Sequence, residues 1–168
     1  MQSLSNIELL LVEDTKTQLL IMEGLLSDTD CLVNTANSAE EAIQFCRRRK
    51  PLLILSDINM PGMNGYELCR TLRSDSQMNQ IPVILLESFS ERAAIKHCLE
   101  CGASGFLFKE LEEDYFIPAL CVAVESLKDG TSEADQLKLM HPLREETRLK
   151  GMLEVAFLSA VYFGSKHD

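Results

Sequence analysis

Residues 52–65 read Leu-Leu-Ile-Leu-Ser-Asp-Ile-Asn-Met-Pro-Gly-Met-Asn-Gly. Four apolar residues end abruptly at Ser56-Asp57, and a Pro-Gly turn and a second glycine follow. A run this apolar, without polar alternation, suits a strand buried on both faces. The reading is a strand over Leu52–Leu55 that delivers Asp57 to a loop at its carboxyl end. The same pattern recurs on either side. Ile7–Val12 is apolar apart from Glu8 and ends at Glu13-Asp14. Cys31–Ala36 is a shorter, weaker run, Val83–Leu86 ends at Glu87-Ser88, and Phe106–Phe108 ends at Lys109. Between these runs lie segments of helical length: Thr15–Leu26, a helix from an N-cap at Ser38 to Arg49, Tyr66–Leu72, Ser90–Cys101 and Glu112–Leu127. Glu41, three residues after Ser38, completes the pattern of a capping box. The acidic start of Glu112–Leu127 and the cations Arg47, Arg48, Arg49 and Lys50 at the end of the second helix both suit the helix dipole.

Five strands alternating with five helices predict an α/β fold, a parallel sheet covered on both faces. In such sheets ligands bind beyond the carboxyl ends of the strands, where the winding direction switches. Those positions hold Glu13, Asp14, Asp57, Glu87, Ser88 and Lys109. Three carboxylates brought into one crevice repel one another, so a positive group must join them. An oxygen-rich site with spare water positions suits Mg²⁺, and a lysine opposite neutralises an incoming phosphate as a point charge. The chemistry implied is phosphoryl transfer to a carboxylate with metal assistance. Taken singly, each residue has a plainer explanation. An acidic pair after a strand caps the next helix, a lone aspartate there forms a turn, and a lone lysine is solvated. Their joint placement carries the functional reading.

The stretches LLLVEDTKTQ (9–18), LILSDINMPGMNGYELCRTLR, IPVILLES and CGASGFLFKE resemble the response-regulator receiver domains of two-component signalling, over about residues 5–128. The most specific piece is Asp57 followed by Asn59, Met60, Pro61, Gly62, Met63, Asn64 and Gly65. The resemblance implies a flavodoxin-like, doubly wound five-stranded parallel sheet flanked by five helices. It implies that Asp57 is the phosphoacceptor, that Glu13, Asp14, Asp57 and the backbone carbonyl of Asn59 hold Mg²⁺, and that Lys109 pairs with the phosphoryl group. Pro61, Gly62 and Gly65 shape the adjoining loop. Phe106 matches the aromatic switch position but lacks the hydroxyl of the common tyrosine. The implied partner is a histidine kinase or phosphotransfer protein. The chain would then be a signalling module and not an enzyme.

Two positions depart from the family pattern. Glu87 stands where a Thr or Ser hydroxyl usually binds the phosphoryl oxygen. An ionised carboxylate cannot donate a hydrogen bond, and beside a phosphoryl dianion it repels. Glu87 has three available roles: pairing with Lys109, enlarging the metal site, or marking a receiver that no longer signals through phosphate. Ser88 would replace the hydroxyl only after a one-residue slip, which turns side chains to the opposite face. The second departure is Glu110, where the family commonly has proline after the lysine. A cis bond there would cost about 3–4 kcal/mol without proline.

The remaining features bound the function. A net charge of −10 and pI of about 4.8 argue against direct nucleic-acid binding. Six cysteines within apolar segments suit a reducing, cytoplasmic compartment. The N-terminus lacks a signal-peptide pattern, and no apolar run is long enough to cross a membrane. His97-Cys98-Leu99-Glu100-Cys101 has no second ligand pair, so packing explains its cysteines. His141 loosely resembles a phosphoacceptor histidine segment, but Pro142 interrupts a helix there. Residues 1–128 form the receiver-like domain and 129–168 a helical extension. That extension is strongly apolar from Met152 to Phe163, too short to span a bilayer and too apolar to remain in water. Homodimerisation through residues 133–163 is the expectation; packing on the receiver and the start of a further domain are the alternatives.

Two functional readings result. One is a phosphorylatable receiver that relays a kinase signal through altered protein contacts. The other is a pseudo-receiver that docks or dimerises without a phosphate switch. A hydrolase of the haloacid-dehalogenase type fits poorly, since its second aspartate would be Asn59.

Overall fold

The computed structural model describes residues 4–87, 97, 98, 100–109 and 113–129. The elements are β1 (Glu8–Val12), α1 (Lys16–Leu26), β2 (Leu32–Ala36), α2 (Ala39–Arg48), β3 (Leu53–Asp57), α3 (Gly65–Ser74), β4 (Val83–Glu87), β5 (Gly105–Phe108) and α4 (Glu113–Asp129). Each strand and helix lies within two or three residues of its sequence expectation. The helix expected over Ser90–Cys101 lies largely outside the described residues; His97, Cys98 and Glu100 are helical. Ser88, Glu110 and residues 130–168 also lie outside them.

All strand pairings are parallel, in the order β2-β1-β3-β4-β5. The chain winds one way from β1 to β2, then back across to β3. The switch therefore falls between β1 and β3, whose carboxyl ends carry Glu13-Asp14 and Asp57. The register sets them level: Val12 pairs with Ser56, so Glu13 stands beside Asp57.

Alternating side chains of these apolar runs build two cores. On one face Leu9, Leu11, Leu53, Leu55, Ile84 and Leu86 meet α1 and α4 through Leu19, Met22, Phe116 and Leu120. On the other, Leu10, Val12, Ile54, Val83 and Leu85 meet α2 and α3 through Ala42, Ile43, Leu68 and Leu72. Each fully buried leucine contributes about 2 kcal/mol, which explains why runs without polar alternation occupy the central strands. Cys46, Cys69, Cys98 and Cys101 belong to the second core, and all six cysteines are free thiols. Arg73 closes the far side of α3. Its guanidinium donates to the carbonyls of Gly102, Asn79 and Ile81 at 2.8, 3.1 and 2.8 Å.

The helix starts refine the sequence expectation. Ser38 Oγ accepts from the Glu41 N–H at 3.1 Å, as expected, but the Glu41 carboxylate takes the N–H of Asn37 at 2.7 Å, not that of Ser38. The reciprocal capping box is instead at α3, where Asn64 and Glu67 exchange bonds of 2.9 Å in both directions. It fixes the start of the helix that leaves the Asp57 loop. Arg47 and Arg48 end α2, and Arg49 pairs with Glu8. No helix among the described residues is long and apolar enough to cross a membrane.

Candidate functional site

Asp57 is the last residue of β3 and is only 6 % exposed. The backbone N–H groups of Ile58 and Asn59 stand near its carboxylate and favour its charged form. The loop beyond it is held from both sides: Ile58 N–H donates to Leu86 O at 3.3 Å, and Gly65 N–H to Ile58 O at 3.0 Å. Gly62 takes the left-handed conformation, with φ +73°, which glycine adopts without steric cost. Asn59 is exposed beside the acid. The influence of its N–H on the Asp57 carboxylate is a contribution that sequence reading, which gives it only a carbonyl role, misses.

Glu13 is buried at 1 % exposure, whereas Asp14 faces water. One Glu13 oxygen accepts the Thr15 N–H at 3.0 Å at the start of α1, so its capping role and its place in the site coexist. Its other oxygen accepts from Lys109 Nζ. The Lys109 side chain, 6 % exposed, also reaches Asp57 Oδ2 at 3.1 Å. Its backbone N–H donates to Glu87 O at 2.8 Å, tying the end of β5 to β4. An ammonium thus stands between two buried carboxylates contributed by β1 and β3. Glu13, Asp14 and Asp57 each present an oxygen within 4.8 Å of the others. Three hard oxygen donors, one of them open to solvent, fit an octahedral divalent cation that retains water.

Glu87 does not belong to that carboxylate group. Its charge is felt instead at Tyr66 and Cys98, whose acidities it helps to suppress. Burial is the larger cause at both; it pushes the Cys98 thiol up to about 12 and Tyr66 well above an ordinary phenol. Tyr66 also meets His97 edge to face, with ring centroids 5.4 Å apart. Phe106 is half-buried on the edge strand β5, touching both cores. The Cys98–Cys101 pair is packing, as its sequence context implied: both are buried, and Cys101 Sγ donates to Cys98 O at 3.1 Å.

Burial pushes the Asp57 carboxyl above the usual aspartate range, opposed by the Lys109 charge and by the N–H donors of Ile58 and Asn59. A folded-state value above the unfolded one favours folding fully below the unfolded pKa. That contribution is lost as pH rises through the folded value. At neutral pH the Asp57 charge therefore costs stability. Asp57→Asn is expected to be the more stable protein at pH 7 in a chelator, by roughly 1 kcal/mol, the scale of such stability–function trade-offs. The gap should close as pH falls below the folded-state pKa of Asp57. Urea midpoints of both proteins across pH check this; a gap that is constant or widens on acidification contradicts it.

The response regulator receiver domain model matches residues 9–120. Two-component response regulator ARR5 of Arabidopsis thaliana is 30% identical over 142 residues, covering 77% of this chain and 73% of its own. ARR3 of the same plant is 32% identical over 117 residues, 63% of this chain. This chain spans about half of ARR3's length, 51%. Among solved structures, the signal receiver domain of a signal transduction histidine kinase from Syntrophus aciditrophicus is 35% identical. Its TM-score is 0.64, over 74% of this chain and 91% of that one. Chemotaxis response regulator CheY4 of Vibrio cholerae has a TM-score of 0.66 and 25% identity, over 71% of this chain and 99% of its own. The matched region contains the five-stranded sheet, the switch-point acids and Lys109, and the chain belongs to the response regulator receiver domain family.

Proposed function

We propose that this receiver domain accepts a phosphoryl group on Asp57 from a histidine kinase or phosphotransfer protein and relays the signal through altered protein contacts. The observation that carries the reading is the convergence of Glu13, Asp14 and Asp57 with the Lys109 ammonium, 3.1 Å from Asp57. An Asp57 carboxylate oxygen would attack phosphorus as the bond from phosphorus to the donor's leaving atom breaks, giving a phosphoaspartate. Lys109 would hold a phosphoryl oxygen electrostatically. Glu13, Asp14, Asp57 and the Asn59 carbonyl are the groups proposed to hold Mg²⁺, which would offset the charge gathered at the acids. The cytoplasm, where such donors and free thiols coexist, is the proposed compartment, with no nucleic acid or membrane as direct partner. Residues 1–128 are proposed as the receiver unit, with 129–168 as a separate segment; a homodimer through residues 133–163 and packing of that segment on its own receiver are competing arrangements, which protein size in solution separates.

Glu87 supports the alternative, a pseudo-receiver that acts without phosphate. Incubation of the full chain with Mg²⁺ and a small acyl phosphate, followed by intact-mass measurement, separates the two. The expected result is one added phosphoryl group in the wild type and none in Asp57→Asn. A wild type that gains nothing, with Glu87→Thr gaining one group, would show that Glu87 has disabled the site. No gain in either protein sinks the phosphoacceptor reading.

A further inference from the structure

Helix α1 presents an unusual face to solvent. The outward positions of α2 and α3 are polar or charged: Glu40, Gln44 and Arg47 on one, Glu67 and Arg70 on the other. The exposed positions of α1 are Lys16, Thr17, Leu20, Ile21 and Gly24, and beyond Lys16 in the first turn none carries a charge. Leu20 is 58 % exposed and Ile21 44 %. A helix on the surface of a globular domain normally turns charged or polar side chains to water. Gly24, one turn after Leu20, is a second oddity. Glycine inside a helix costs about 1 kcal/mol relative to alanine, yet a Cβ at Gly24 would meet nothing within 4 Å. The receiver fold itself supplies no steric reason for glycine there. Bare helix backbone at Gly24, beside two exposed aliphatic side chains, lets another chain segment approach closely.

We infer that the outer face of α1 seats the apolar segment 149–163 of the same chain. Three arguments select this occupant. The segment is rich in the matching chemistry: from Met152 to Phe163 its one charged residue is Glu154. The chain leaves α4 in the right place. α1 and α4 share one core and both return antiparallel to parallel strands, so Asp129 lies at the end of the domain where α1 also finishes. The connection is long enough. Residues 130–148 are roughly 20 residues, an extended reach of about 60 Å, while the 11 residues of α1 rise about 16 Å. A tethered segment that can span the distance has an effective concentration in the millimolar range. It therefore outcompetes a second copy at micromolar protein. Because α1 starts two residues after Asp14, the seated segment lies beside the approach to Asp57.

The test uses the full chain. Sedimentation should report a monomer at micromolar concentration. Hydrogen–deuterium exchange should show peptides from 149–163 protected by about tenfold or more over free-chain rates. Leu20→Glu with Ile21→Glu should abolish that protection. Gly24→Leu should abolish it as well, because it blocks the close approach to the backbone while adding apolar surface; a merely sticky face would gain affinity instead. Peptides from β3 should remain protected in every variant, showing that the receiver stays folded. Free-chain exchange of 149–163 in the wild type overturns the inference. So does protection that survives the α1 substitutions, or a stable dimer.

Discussion

Lys109→Met is expected to fold but to lose about 3 kcal/mol of stability in the presence of a chelator, the lower end of the cost of breaking a buried ion pair. The ammonium stands between Glu13 and Asp57, and all three side chains are under a tenth exposed. Methionine keeps most of the apolar stem and removes the charge, leaving two buried carboxylates facing each other with Asp14 close by. Asp57 should then titrate still higher than in the wild type, since the Lys109 charge is the largest influence lowering it. The same reasoning gives an opposite sign with metal. The acids no longer share their oxygens with an ammonium, so Mg²⁺ should raise the urea midpoint of Lys109→Met more than that of the wild type. Phosphoryl uptake should nevertheless fall by about 100-fold, the scale for removing one preorganised charge from a developing anion. Urea unfolding with chelator and with Mg²⁺, beside an intact-mass time course with a small acyl phosphate, reads all three effects. A variant as stable as the wild type in chelator would mean that the two ion pairs contribute nothing net. Unchanged uptake would remove Lys109 from the proposed chemistry.

Glu87 shows where sequence reasoning stops. Its replacement of the usual hydroxyl was plain from the run Val83–Leu86, but the direction of its side chain was not. A side chain at the end of a strand answers to whatever the facing helices present. Here Tyr66 from α3 and the buried Cys98 lie within range of its charge. The carboxylate group that could bind a cation forms without it. The strands themselves were legible, because being buried on both faces demands unbroken apolar runs and those runs have few other uses. The site acids were legible for a related reason, since the strand ends fix where they emerge. Contacts between distant positions were not. Lys109 and Glu13 are separated by 96 positions, and no local pattern states that one Glu13 oxygen caps α1 while the other meets that lysine. The capping box at Asn64 was obscured because Asn64 lies inside a motif read for its turn, while Ser38 and Glu41 showed the same spacing without the reciprocal bond. Recognising that Cys98 and Cys101 belong to the core needed no distant information, only the absence of further ligands in the sequence.

Gly65→Ala is expected to cost about 3 kcal/mol, at the upper end for overpacking a tight contact, and to reduce phosphoryl uptake by about 100-fold. Turn geometry is not the cause, because Gly65 is absent from the positive-φ glycines. The cause is proximity. A Cβ at Gly65 would lie 2.5 Å from the carbonyl oxygen of Asp57 and 2.9 Å from Ile58 Cα. Both are backbone atoms, with no flexible side-chain end to move aside. The first residue of α3 rests directly on the peptide that orients the acceptor carboxylate, and its N–H donates to Ile58 O at 3.0 Å. Relief requires either α3 to retreat, against the Asn64–Glu67 capping box and the buried Leu68 and Leu72, or the Asp57–Ile58 peptide to rotate. Rotation would withdraw the Ile58 and Asn59 N–H donors from the carboxylate and raise its pKa further. Either movement displaces Asp57 relative to Lys109, and a misplacement of about 1 Å at a reacting group costs about 100-fold in rate. Gly105→Ala is the control: its added carbon meets Ile84 Cγ1 at 3.8 Å, an ordinary contact, and both stability and uptake should stay close to wild type. Urea midpoints and mass time courses of the two alanine variants decide the matter. Equal behaviour would mean that the α3 start does not position the acceptor, and the loop geometry would then have to be maintained by the Ile58–Leu86 hydrogen bond alone.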